Sequence, residues 1–142
     1  MPLLGEVVIR KGRPADHATA EAIQSAAFGD VHWRFGDDRF NVAELPGGEM
    51  MGYLVWRQTF TDEFEILSIA THPKHRRKGV GRALVDDFCS ANRGDIFLEV
   101  RESNAGAIAF YESMGFETTG IRHSYYGNNG EGAVIMKLPY RG

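Results

Sequence analysis

The feature that most constrains this chain is a change of periodicity between residues 64 and 100. Phe64–Thr71, FEILSIAT, is a mostly apolar run, the pattern of a strand covered on both faces. A basic loop, His72–Lys78, follows it. Gly79–Ala91 then sets Val80, Leu84 and Phe88 at i, i+4 and i+8, one face of a helix. Asp95–Val100 returns to strand. Strands alternating with crossover helices commit the chain to a mixed α/β (α+β) sheet.

The flanking segments extend this pattern. Val7–Arg10 reads as a short strand. Pro14 suits a helix start, and Ala15–Phe28 is rich in helix formers. Gly29–Asp38 reads as a loop or broken helix carrying Trp33 and Phe35. Phe40–Leu45 is strand-like, Pro46-Gly47-Gly48-Glu49 is a hairpin turn, and Met50–Phe60 is a strand. Asn104–Met114 reads as a helix with Asn104 as its N-cap and Gly115 as its C′ stop. Phe116–Tyr126 and Ala133–Leu138 close the series as two strands, joined by a turn at 127–130. No repeat or linker interrupts the 142 residues, so one domain over 1–142 is expected. Its sheet should hold about six to seven strands flanked by about four helices.

Composition removes several classes of function. Apolar residues make up 43% and charged residues 25%, the balance of a soluble globular protein. No run approaches the ~18 apolar residues of a membrane span, and MPLLGEVVIRKG is too short and charged for a secretory signal. The single Cys89 cannot form an internal disulfide, which points to a reducing cytoplasm. With 16 basic against 19 acidic residues, a broad nucleic-acid face is not expected. Within this acidic chain, Arg76-Arg77-Lys78 stand together, and that suggests a small anionic ligand.

The basic cluster runs into Gly79-Val80-Gly81, between a strand and a helix. Glycines let the backbone approach an anion, and the first N–H groups of a helix are unpaired. The competing reading is a solvated basic turn. A Walker loop is excluded, because no G-x-x-x-x-G-K-[ST] occurs. A dinucleotide fingerprint fails too: Leu84 stands at its third glycine, and the loop before Gly79 is too long for a tight turn.

Two further residues carry candidate chemistry. Glu99 lies near the carboxyl end of a strand, where open α/β sheets bind ligands. It is either a general base or a surface carboxylate paired with Arg101. Tyr111 shares a helix face with Asn104 and Ile108. Its phenol either donates a proton to a departing anion or sits in the core with its hydroxyl at the rim. Cys89 reads as a small core filler. His72 and His75 read as solvated or phosphate-facing imidazoles without nearby acids, so no metal site is expected. Met50, Met51 and Phe60 read as core or interface, and Asp62-Glu63 as a solvated turn.

Taken together, Ser68-Ile69-Ala70-Thr71-His72-Pro73, Arg76-x-x-Gly79-x-Gly81-Arg82, Leu98-Glu99-Val100-Arg101-Glu102-Ser103-Asn104 and Ala107-x-x-x-Tyr111-x-x-x-Gly115-Phe116 resemble the GNAT acyl-CoA transferases. Within that superfamily they are most similar to the RimI-type protein N-terminal acetyltransferases. Gly120-Ile121-Arg122, Tyr125-Tyr126 and Ala133-Val134-Ile135-Met136 continue the likeness.

The resemblance implies a role for each matching position. Backbone groups of Ile69, Ala70 and Thr71 would hold the pantetheine arm of acetyl-CoA as an added strand. Arg76, Arg77, Lys78, Gly79, Val80, Gly81 and Arg82 would cradle its pyrophosphate, and Asn104 would touch the cofactor. Glu99 would be the general base and Tyr111 the acid for the leaving thiolate. Trp33 and Tyr126 would line an acceptor groove. The acceptor would be a protein α-amine, a ribosomal protein in the best-known members. An α-amine is about 14% neutral at pH 7 and a lysine side chain about 0.04%, which favours an N-terminus. A small-molecule amine is the alternative acceptor, and a non-catalytic CoA-binding module the further alternative. No metal, membrane or nucleic-acid partner is implied, and a monomer or weak dimer is expected.

Three positions depart from the family pattern. Gly132 stands where an acid often precedes the last strand. Thr71 replaces a usual aliphatic residue, and the stretch from Phe28 to Trp33 is longer than the family's typical turn.

Overall fold

The computed structural model describes residues 7–29, 33–123 and 131–141. Its strands are β1 (Val8–Lys11), β2 (Arg39–Glu44), β3 (Met50–Phe60), β4 (Glu63–Thr71), β5 (Asp95–Arg101), β6 (Glu117–Arg122) and β7 (Ala133–Leu138). They form a seven-stranded sheet in the order β1-β2-β3-β4-β5-β7-β6. The β4–β5 pair is parallel, whereas β1–β2, β2–β3, β5–β7 and β6–β7 are antiparallel, so the sheet is mixed. The α-helices among the described residues are α1 (His17–Phe28), α2 (Val80–Ala91) and α3 (Ala105–Ser113). Single 3₁₀ turns occupy Pro14–Asp16 and Pro73–His75. Most expected elements lie within one or two residues of their predicted bounds. Gly29–Asp38 has no helix among its described residues, and the expected 127–130 turn lies outside them.

Two compact units divide these elements. The first takes the described residues up to Arg57 together with Ile66–Asn92. Here the period-two alternation of β3 sorts side chains between two helices. Tyr53 and Val55 join Ala20 and Ile23 of α1, with Phe40 and Val42 of β2, in one buried cluster. On the other face Trp56 meets Phe88 of α2 at 5.2 Å between ring centroids. The helical spacing of Val80, Leu84 and Phe88 therefore buries one stripe of α2 against the strands. Burying a side chain such as Phe88 contributes about 1.5–3 kcal/mol.

The second unit takes Gln58–Glu65 and the described residues from Arg93 onward. Ile96, Leu98 and Val100 alternate as the buried side of β5, which pairs through Leu98–Met136 and Val100–Val134 with β7. The Asn104 side chain accepts the Ala107 N–H at 3.1 Å and caps α3. Gly115, at φ 98, ends that helix in the left-handed conformation a side chain would resist. Phe116 N–H returns to the Tyr111 carbonyl at 3.0 Å, closing the turn.

Candidate functional site

In the first unit the site is built on the end of β4. Ala70 is buried, with Ile69 and Thr71 half-buried beside it. The His72 N–H donates to the Met51 carbonyl at 2.8 Å, tying the chain after β4 to β3. Gly52 of β3 makes room for this approach. A Cβ there would lie 2.6 Å from the Ala70 carbonyl oxygen and 3.2 Å from Val80 Cγ1.

The basic loop follows the Pro73–His75 turn. Arg77 adopts φ 65, and Gly79 has φ 77. Left-handed residues thus stand on either side of Lys78. Gly79 is the N-cap of α2 and offers no side-chain acceptor, so the first-turn N–H groups remain donors for an anion. Arg76, Arg77 and Arg82 are exposed, and Lys78 is half-buried. Arg76 also donates to the Ala27 carbonyl at 3.3 Å, near the end of α1. Donors, positive charge and glycine backbone thus meet along one loop, the chemistry a diphosphate requires.

In the second unit Glu99 is half-buried on β5, opposite Ile135 of β7. Its Oε2 accepts from Arg122 on β6 at 2.6 Å. The alternative that paired Glu99 with Arg101 is corrected as to the partner: Arg101 pairs with Glu131 at 3.2 Å. Odd-numbered neighbours on one strand share a face, but the strand order lets Arg122 reach Glu99 across β7. Tyr111 is 6% exposed, edge-on to Phe110 and Phe116. Burial pushes its phenol well above the usual range.

Residues 12–116 match the profile of the acetyltransferase (GNAT) family. The chain belongs to the GNAT acetyltransferases. It is 38% identical over 110 residues to the ribosomal protein bS18-alanine N-acetyltransferase of Escherichia coli K12, covering 73% of this chain and 74% of the relative. The Mycobacterium tuberculosis N-alpha-acetyltransferase RimI is 36% identical over 100 residues, 68% of this chain and 63% of that protein. The crystal structure of the ribosomal-protein-S18-alanine N-acetyltransferase from E. coli superposes with a TM-score of 0.84 at 31% identity, covering 96% and 95% of the two chains. The chain is thus a RimI-like, acetyl-CoA-dependent N-acetyltransferase.

In this GNAT enzyme other expected positions are more varied. Trp33 is half-buried against the α1 cluster. The buried Gln24 side chain grips its main chain twice, accepting from the Trp33 N–H at 2.6 Å and donating to the Trp33 carbonyl at 2.9 Å. Tyr126 lies outside the described residues. At Gly132 a Cβ would come within 2.7 Å of Glu102 Oε1, which accepts the Gly132 N–H at 2.9 Å. Glu131, the residue before Gly132, accepts the Ser103 N–H at 2.8 Å.

Four simpler expectations change or hold. His75 is neither solvated nor remote from acids: it is 5% exposed and bonded to Glu49. Glu63 begins β4 instead of lying in a turn, and Phe60 is 68% exposed, outside the core that holds Met50 and Met51. Burial pushes the Cys89 thiol up to about 11, as suits an unreactive filler. A cavity of about 660 Å³, lined by Lys11, Arg39, Trp56 and Asp87 among others, shares no residue with the loop. Among the described residues no group of three His, Cys, Asp or Glu is placed to hold a metal, and no helix is long and apolar enough to cross a membrane.

Proposed function

We propose that this enzyme acetylates the α-amino group of a protein N-terminus, with a ribosomal protein as the first acceptor to test. The observation that carries the reading is the 38% identity over 110 residues to an enzyme named for that reaction. Acetyl-CoA supplies the activated acetyl thioester. Residues 76–82 hold its diphosphate, main-chain groups of Ile69, Ala70 and Thr71 hold its pantetheine arm, and Asn104 contacts it. Glu99 takes the proton from the attacking amine, directly or through water. The Arg122 pair supports that role by fixing one carboxylate oxygen. Tyr111 gives its proton to the departing sulfur. Trp33 and Tyr126 contact the acceptor. The reaction belongs in the cytoplasm, where such an N-terminus is made.

The preference for an α-amine has a physical basis. Its neutral fraction at pH 7 is several hundred times that of a lysine side chain, so a single carboxylate suffices as base. The test is mass spectrometry of a panel of N-terminal peptides and small amines incubated with acetyl-CoA. Transfer to the α-amine of one or more peptides is expected. Transfer to polyamines or free amino acids alone would replace this acceptor class, and coenzyme A binding without transfer to anything would leave only a binding module.

A further inference from the structure

The turn that leads into residues 76–82 holds a buried group that the reaction itself does not use. His75 ends the Pro73–His75 turn and is 5% exposed. Its Nε2 lies 2.7 Å from Glu49 Oε2, in the turn that enters β3. Its Nδ1 lies 3.5 Å from Lys78 Nζ, inside the loop. Glu49 Oε2 also meets Lys74 Nζ at 2.8 Å. A lysine ammonium can only donate, so Nδ1 must accept. The ring proton then sits on Nε2 and is donated to Glu49, which as a carboxylate can only accept. Carboxylate, imidazole and ammonium form one chain of contacts, from the β2–β3 turn to the middle of the loop.

We infer that His75 and Glu49 are positioning residues that set the basic loop, through Lys78, for the diphosphate of the coenzyme. This rests on the reading of residues 76–82 as the diphosphate cradle. The loop needs such support. Arg77 carries a left-handed φ of 65, which a residue with a side chain adopts only when its surroundings over-determine it. The turn fixed by His75 stands two residues before it, and the main-chain bond from His72 to Met51 anchors the other side. A loop ordered in advance spends less binding energy on its own immobilisation.

The contribution is specific to one end of the coenzyme, and that makes it separable from a general structural role. The assay measures steady-state kinetics with acetyl-CoA and with S-acetylpantetheine, which has the same thioester but no nucleotide diphosphate. Peptide acceptor is held at saturation. His75→Ala and Glu49→Gln should each raise KM for acetyl-CoA about tenfold, the scale at which outer partners of a binding group act. kcat at saturating acetyl-CoA should stay within about twofold, and kcat/KM for S-acetylpantetheine should not move. His75→Gln, whose amide can still donate to Glu49, should recover most of the loss. The double variant His75→Ala/Glu49→Gln should lose no more than the worse single one, since both act through one chain.

Equal losses with both thioesters would overturn the inference in favour of a merely structural histidine, and unchanged KM values would overturn it outright. Glu49 is 47% exposed, so Glu49→Gln reads the effect even if His75→Ala folds poorly. Calorimetry of the parent protein with coenzyme A separates the two layers. No binding there removes the cradle and the inference together, whereas parent binding with unaltered variants removes the inference alone.

Discussion

Replacing Gly52 by alanine adds one methyl group where β3, β4 and α2 meet. The new Cβ would stand 2.6 Å from the Ala70 carbonyl oxygen, 3.2 Å from Val80 Cγ1 and 3.4 Å from Thr71 Cα. The first of these is backbone and cannot swing aside. Two effects of opposite sign compete. Alanine reduces the conformational entropy lost on folding, which by itself would stabilise a strand position by about 0.5–1 kcal/mol. Overpacking a well-packed core costs about 1–3 kcal/mol. With a contact this short, the packing term wins, and a net loss of about 1–2 kcal/mol is expected. For a chain of this size that lowers the unfolding midpoint by roughly 3–7 °C. Ala70 belongs to the strand end assigned to the pantetheine arm, so KM should rise for acetyl-CoA and S-acetylpantetheine alike. Thermal unfolding followed by circular dichroism, beside the kinetics, reads both effects. Gly106→Ala is the control, since nothing lies within 4 Å of its Cβ and it sits in α3. There a gain of about 0.5–1 kcal/mol is expected. A Gly52→Ala protein as stable as its parent, with unchanged KM, would refute the account of how β3 supports β4.

Tyr111→Phe should lower kcat by ~10²-fold or more at little cost in stability. Unchanged turnover at controlled pH would remove the phenol from the catalytic set. Lys74, and then His75, hold the Glu49 carboxyl down to about 2 from its ordinary 4.5. A folded-state value below the unfolded one stabilises fully above about 4.5, and that contribution is lost as pH falls from there through about 2. Glu49→Gln should therefore be less stable than the parent at neutral pH and lose less on acidification, as urea midpoints against pH would show. Asn104→Ala removes the acceptor that caps α3 and should cost about 1 kcal/mol in urea unfolding. A cost near zero would mean that the cap adds nothing to the helix.

How much of this was legible in advance depends on the range of each interaction. The stripe Val80, Leu84, Phe88 announces α2 because helical spacing is a local property. Asn104 and Gly115 mark the two ends of α3 for the same reason, since a cap acts within one turn. The glycine–arginine loop is equally local, and its motif pointed to the GNAT family on residues a few positions apart. Other expectations missed because their cause lies far along the chain. Glu49 and His75 are 26 residues apart, and no spacing rule joins a hairpin turn to a later loop. Glu99 and Arg122, 23 residues apart, meet only because β7 enters the sheet between β5 and β6.

Residue order by itself thus determined the strands and helices, the basic glycine loop and the family, because each is written in neighbouring side chains and main-chain preferences. Tertiary structure alone decided which charge answers which: Arg122 on Glu99, Glu49 on His75, the Gly52 gap behind Ala70. Those pairings depend on sheet order and register, which bring distant segments within a few ångströms, and coulombic and steric energies act at that range whatever the separation along the chain.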